Sequence, residues 1–406
     1  MDLKKPRGYD KIVQLIDKGV AVPNPLSLDI GDDVEVDRIS GQGVVLYPGC
    51  RIYGSQTVIS AGARVGAEGP VTIDDCRLGP KVELKGGYFK QSVFLEKANM
   101  GPGAQVREGC LVEEEANGAH CVGLKQTILF PFVTLGSLVN FCDCLMAGGT
   151  SRGDHSEVGS SYIHFNYTPD GDKTTPSLFG DVPRGVMLNQ LPIFLGGQGG
   201  AVGPIRLGYG TVVAAGSVLR DDILEDGTLV IAGARREAKR RVERHSYCNL
   251  TRVVRNNVVY LANLIALERW YRKVREPFFA GQDMGDLIYA GALGVLSQAK
   301  EERMRRLAAM ADKVSASNPV GREFRERVAE VCALFGEDSA EDGGEEFLAA
   351  LWQTGGYTRG DYIQTIQSLA PDLSAEGVQW LQDIVDTLCG RAAALFRSMD
   401  LFGGER

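Results

Sequence analysis

Aliphatic residues recur every six positions along much of this chain. Met100, Val106 and Val112 form one such run and Leu207, Val213 and Leu219 another. Small residues fall four positions after the register sites, at Ala98, Ala104, Cys110 and Ala116 and again at Thr211 and Ser217. Leu78 and Leu84, with Cys76 and Val82, keep the same spacing, and so do Ile30 and Val36. A period of six fits neither the 3.6 of a helix nor the 2 of a flat strand. It fits a chain that turns a corner after every sixth residue, with the aliphatic side chain inside and the small one near the bend. Three such sides close one triangular coil, whose edges pair only when another coil stacks on it. Glycine supports this reading, because corners at positive φ favour it: 36 of the 51 glycines lie in residues 1–235. The expected fold class is therefore mainly β, a parallel β-helix of about ten coils over residues 26–235. The register slips at 53–70, 85–93 and 123–150, which predicts loops or irregular coils there.

After residue 236 the period changes. Val254, Val258, Leu261 and Ile265 follow helical spacings up to Trp270, and Pro277 is expected to stop that helix. Further helices are expected at 286–314, 321–335, 345–354 and 374–398, with the acidic stretch 336–346 as a linker. The division is thus an N-terminal helical segment (1–25), a β-helix (26–235) and an α-helical region (236–406). The net charge of −8 gives no basic field for nucleic acid. The opening MDLKKPRGYDK has no apolar core of a signal peptide, and no run of about 18 apolar residues suggests a membrane span. Nine cysteines without a paired framework suit reduced thiols in a cytoplasm. With no CxxC pair and four histidines, no metal site is expected.

Residues 148–182 read GGTSRGDHSEVGSSYIHFNYTPDGDKTTPSLFGDV, and 194–222 read FLGGQGGAVGPIRLGYGTVVAAGSVLRDD. Together with the hexads, they resemble the last coils of the acetyltransferase domain in the bifunctional glucosamine-1-phosphate acetyltransferase/N-acetylglucosamine-1-phosphate uridylyltransferase family. The resemblance spans about 148–233. It implies a left-handed parallel β-helix of the hexapeptide-repeat acyltransferase kind, a homotrimer with sites between subunits, and acetyl-CoA as cosubstrate. It implies an amino-sugar phosphate or a nucleotide sugar such as UDP-N-acetylglucosamine as the other partner. Carried over by position, Asn166 and Tyr167 are the contact pair for acetyl-CoA and substrate. Ser160, Gly197 and Ala215 fall where the coenzyme meets small residues and backbone amides. Lys173 resembles the family's lysine after the Asn-Tyr pair, displaced by one residue, and Glu157 stands at a substrate-binding asparagine.

The chain departs from that pattern in two ways. Only about 25 residues precede the β-helix, so uridylyl transfer has no visible machinery in this sequence. The family's catalytic histidine has no counterpart: without gaps its position is Asp143, and with a two-residue gap Phe141. Acetyl transfer needs a base for the acceptor's proton, and His155 and Asp143 are the two candidates. His155 would face outward, whereas the inward register of His164 marks it as a core residue. Lys125 is a second phosphate candidate. GGQGG (196–200) matches no phosphate loop and reads as a coil corner. The Cys142-Asp143-Cys144 spacing is too tight for zinc and suits small packed side chains. The basic run 235–255 reads as a solvated helix face or as a clamp for the phosphates of coenzyme A. The leading expectation is an acyl-CoA-dependent transferase. The rivals are a non-catalytic sugar-nucleotide-binding or scaffold β-helix, and a nucleotidyltransferase homologue without its nucleotidyltransferase domain.

Overall fold

The computed structural model describes residues 5–403 except 169, 234–238, 240, 242–244, 246, 248, 337–342 and 354–360. About half of the basic run 235–255 and most of the acidic stretch 336–346 therefore lie outside the described residues.

The β-region is a three-faced prism of parallel strands. The first face carries the ladder Ile30, Ile52, Ile73, Phe89, Val106, Leu124 and Phe141, each paired with the next and each buried. The second carries Ile59, Leu78, Phe94, Val112, Leu129, Met146, Phe179 and Leu207. The third is a 10-stranded parallel sheet running from Val45–Leu46 to Leu229–Val230. Strand pleating alternates side chains inward and outward, so each two-residue side sends one residue to the core. Ala98, Ala104, Cys110 and Ala116 are fully buried near the bends, where there is no room for more than a small side chain.

The register slips have a physical cause other than loops. Ser92 pairs with Cys110 eighteen residues on, but Arg77 pairs with Val93 after sixteen, and Arg51 with Thr72 after twenty-one. The stretches 53–70, 85–93 and 123–150 therefore hold regular strands in coils of uneven length. Gly123–Leu129 and Asn140–Met146 even run through a corner as single seven-residue strands.

Helix α1 (Tyr9–Lys18) closes the first coil by burying Ile12 and Leu15. Its Lys11 ammonium donates to the carbonyls of Gly31, Asp32 and Val34, covering an edge that would otherwise be open to pairing. A short α2 (Val182–Gly185) leads into the last coils. Then follow α3 (Leu250–Trp270), a π-turn at Tyr271–Arg275, α4 (Glu276–Phe279) and α5 (Gly285–Ala311). The set ends with α6 (Pro319–Gly336), α7 (Glu345–Gln353), α8 (Tyr362–Gln367) and α9 (Pro371–Ala394). Pro277 does not end the helical path. It occupies the first turn of α4, where a missing N–H costs nothing.

These helices lie on the second face. α5 packs on strands Arg77–Leu78, Ser92–Phe94 and Cys110–Val112, and α3 on Ser177–Phe179. The outward residues of that face accordingly include Val58, Val93, Leu111, Ile128, Leu145 and Leu178, all buried. Gly291 of α5 lies directly on Arg77, where a Cβ would come within 2.3 Å of the guanidinium.

Candidate functional site

The edge between the first and second faces is a column of tight corners. Gly54, Asp75, Gln91, Gly109, Gln126 and Asp143 stand on it at φ 90, 53, 43, 77, 49 and 59°. Apart from glycine, Asp and Asn tolerate this left-handed conformation best. In the next coil the corner opens into a longer loop, from Asn166 to the strand beginning at Ser177. The loop brings three of the predicted residues together. The Asp143 carboxylate accepts from the Asn166 amide at 3.2 Å through one oxygen and pairs with Arg303 at 2.7 Å through the other. Arg303 also donates to the Lys173 carbonyl at 3.3 Å. Asp143 and Arg303 are both buried, whereas Tyr167 is 73% exposed and Lys173 half-buried.

The opposite edge, between the third and first faces, holds the small residues. Ser160, Gly197 and Ala215 stack there on successive coils: Gln198 N–H donates to the Ser160 carbonyl and Gly216 N–H to that of Gly197. The glycines are required by this stacking, since a Cβ on Gly196 would come within 2.4 Å of the Ala215 nitrogen and one on Gly197 within 2.9 Å of the Ser160 carbonyl oxygen. GGQGG is thus a coil corner. Across the first face between the two edges, Ile163 and Phe165 point outward, 40% and 42% exposed. The Phe165 ring lies over Gly200, where a side chain would collide with it.

His164, one residue from each, points inward. Its Nδ1 lies 2.6 Å from the Cys142 carbonyl and its Nε2 2.7 Å from the Ser177 hydroxyl, between Phe141 and Phe179. Burial pushes its pKa down to about 4, so it is a neutral core residue. Cys142 and Cys144 pack as buried small side chains, and burial raises both thiols. Lys125 is committed to Glu108. Of the basic run, Arg252 and Arg255 bind Asp222 and fasten the last coil to α3.

His155 and Glu157 sit on neither edge. His155 belongs to an antiparallel hairpin, Gly149–Ser151 with Asp154–His155, beside the third face. Its Nδ1 is 2.9 Å from the Arg152 carbonyl. A carbonyl only accepts, so Nδ1 carries the proton in the neutral ring and Nε2 keeps its lone pair. Glu157 is exposed on the third face, paired with Thr134 and Phe194.

Sequence reasoning missed Arg303. It lies 160 residues from Asp143 on a helix outside any motif, and no spacing links the two.

No family model matches the sequence. Among curated proteins the chain is similar to Bifunctional protein GlmU of Thermotoga maritima, 29% identical over 217 residues, which are 52% of this chain and 42% of that protein. Bifunctional protein GlmU of Fervidobacterium nodosum is 29% identical over 230 residues, 56% of this chain and 44% of that one. That of Carboxydothermus hydrogenoformans is 30% identical over 229 residues, 56% and 46%. The chain spans less than half the length of the curated relatives it matches, over a stretch longer than the 148–233 run that carries the motif resemblance. Among solved structures, LpxA from Acinetobacter baumannii is 10% identical with a TM-score of 0.18, covering 50% of this chain and 66% of that one. Among the described residues no helix is long and apolar enough to cross a membrane, and no cluster of three or more His, Cys, Asp or Glu could hold a metal.

Proposed function

We propose that the chain is an acyl-CoA-dependent transferase, with acetyl-CoA as donor and an amino-sugar phosphate or nucleotide sugar as acceptor. One observation carries this reading. At the level of Ser160–Phe165 the first face offers a small-residue edge, an apolar strip of Ile163 and Phe165, and an amide–phenol pair at the far edge. A pantetheine arm needs that sequence of surfaces: close backbone amides, an apolar track, and donors for a thioester carbonyl. Asn166 and Tyr167 then hold the carbonyl oxygen as the acceptor attacks. His155 Nε2 takes the acceptor's proton and coenzyme A leaves as its thiolate. Asp143 is the weaker base, because both of its oxygens are already engaged. Lys173 serves the acceptor's phosphate, and Glu157 a cationic or hydroxyl group on the same molecule.

His155 lies in the hairpin beside the third face and Asn166 at the edge of the first and second, so they meet only between copies. The outward apolar residues of the last coils suit such a contact: Phe194, Val212, Leu229 and Ile231 are 39%, 41%, 65% and 74% exposed. This supports a homotrimer. Cys50, Cys76, Cys110, Cys142 and Cys144 are free thiols, which suits the cytoplasmic setting of this reading.

The test is thiol release from acetyl-CoA with glucosamine 1-phosphate as the first acceptor. His155→Ala is expected to lower kcat by about 100-fold with acetyl-CoA affinity kept; unchanged turnover would remove His155 as the base. A non-catalytic sugar-nucleotide-binding protein is the second reading, favoured by the engaged Asp143 at the family histidine's position. It predicts UDP-N-acetylglucosamine binding without any thiol release.

A further inference from the structure

We infer that Arg303 is a positioning residue of the acyl-CoA site, so that the C-terminal helices form part of that site; the inference rests on the role proposed for Asn166. Asn166 stands at the start of a loop replacing a tight corner, and a loop of that length has no intrinsic reason to hold one conformation. Here α5 and α3 hold it. Arg303 grips it at two points, through Asp143 to the Asn166 amide and directly at the Lys173 carbonyl. Asn257 of α3 donates to the Thr174 carbonyl at 3.1 Å, and the Thr174 hydroxyl donates to the Met310 sulfur of α5. Lys313, just beyond α5, donates to the Asp170 carbonyl at 2.5 Å.

Among these contacts only the Arg303–Asp143 pair touches a side chain that itself meets the Asn166 amide. A carboxylate accepts and cannot donate, so Asp143 fixes which way the amide turns. Its nitrogen points to Asp143, leaving its oxygen and second N–H for the ligand. Without Arg303, the buried Asp143 carboxylate would lose the guanidinium that holds it and would move. That movement frees the amide. Glu302 is a further charged group near the pair, 3.8 Å from the Arg303 guanidinium, and is itself held by Arg305 and Arg306.

Acetyl-CoA binding is measured by calorimetry for wild type, Arg303→Met, Asn166→Ala and the double variant. Hydrogen exchange of 166–175 is followed in parallel. Arg303→Met is expected to weaken binding about tenfold, the size of a hydrogen bond to a charged group, and by less than about twofold once Asn166 is already alanine. Exchange in 166–175 should rise while strands 87–112 stay protected. Arg303→Lys, which keeps the charge but not the fork, should restore part of the affinity. Should Arg303→Met fail to fold, Arg303→Lys and Asp143→Asn carry the same cycle. Equal losses in both backgrounds with unchanged loop exchange would overturn the inference, as would wild-type affinity in Arg303→Met. If wild type itself binds no acetyl-CoA, the acyl-CoA reading falls alone and exchange decides the rest. A rise confined to 166–175 keeps Arg303 as the loop's anchor, and an unchanged loop removes it.

Discussion

The second and third faces of the prism share one repeat and one kind of core, yet their outward sides differ. Val93 and Leu111 of the second face are buried beneath α5, and Ile128 and Leu145 of the same face are buried as well. The corresponding third-face positions are Arg64, Glu83, Asn99, Asn117 and Thr134, none of them buried. The hexad sets only the inward residue; what the fold does with each face is written in the residue before it. In the last coils the third face turns apolar, at Phe194, Val212 and Leu229, and among the described residues these stay exposed.

The largest effects should come from placing charge on the covered face. Leu111→Asp puts a carboxylate between the strand and α5 without a partner, and is expected to cost about 4 kcal/mol or more in denaturant unfolding. Asn117→Asp on the third face should stay within about 0.5 kcal/mol. Equal losses would erase the distinction between the faces.

The helical layer has its own buried charge. Arg275, from the π-turn, reaches Glu114 and Glu113, and its guanidinium lies over the rings of Tyr362, Tyr271 and Phe279 at 3.8, 4.8 and 5.4 Å. Arg275→Met leaves two buried carboxylates without their cation, and should destabilise by about 3–5 kcal/mol.

Glu113 sharpens the comparison through pH. Burial raises its pKa from 4.5 to about 7, against the pull of Arg275. Its protonated form is favoured in the folded state, so the stability it contributes is present at acid pH and is lost as pH rises through about 7. Thermal melts should show Glu113→Gln gaining on wild type between pH 5 and 8. A parallel pair of curves would contradict this. His164 has the opposite sign: its pKa is depressed to about 4, so its contribution is present above about 6.5 and lost toward pH 4.

Phe194→Ser should likewise change stability by no more than about 0.5 kcal/mol, as the residue is already 39% exposed. Its effect should appear as a fall in solution mass by light scattering. An unchanged mass would remove this strip from any subunit contact.

Much of the fold was legible in the hexads because an inward position every sixth residue is a local signal. The uneven coils were legible only as slips that a loop would also produce, since a coil of sixteen or twenty-one residues breaks the period without breaking the strand pairing. The inward placement of His164 followed from register, and the small-residue packing of Cys142 and Cys144 from a spacing too tight for a metal pair. The Asn166–Asp143 contact joins neighbouring coils and could be approached through alignment. Arg303 could not, because what brings it to Asp143 is the docking of α5 on the second face. Nothing in the hexads states which face receives a helix; the apolar outward residues do, once the strands are known.

The first face beside Asn166 is proposed to bind an acyl-CoA. The direct measurement is calorimetric titration of wild type and Asn166→Ala with acetyl-CoA, and with UDP-N-acetylglucosamine in parallel. Saturable acetyl-CoA binding that weakens about tenfold or more in Asn166→Ala is the predicted result. Binding of the sugar nucleotide alone, indifferent to Asn166, would contradict it.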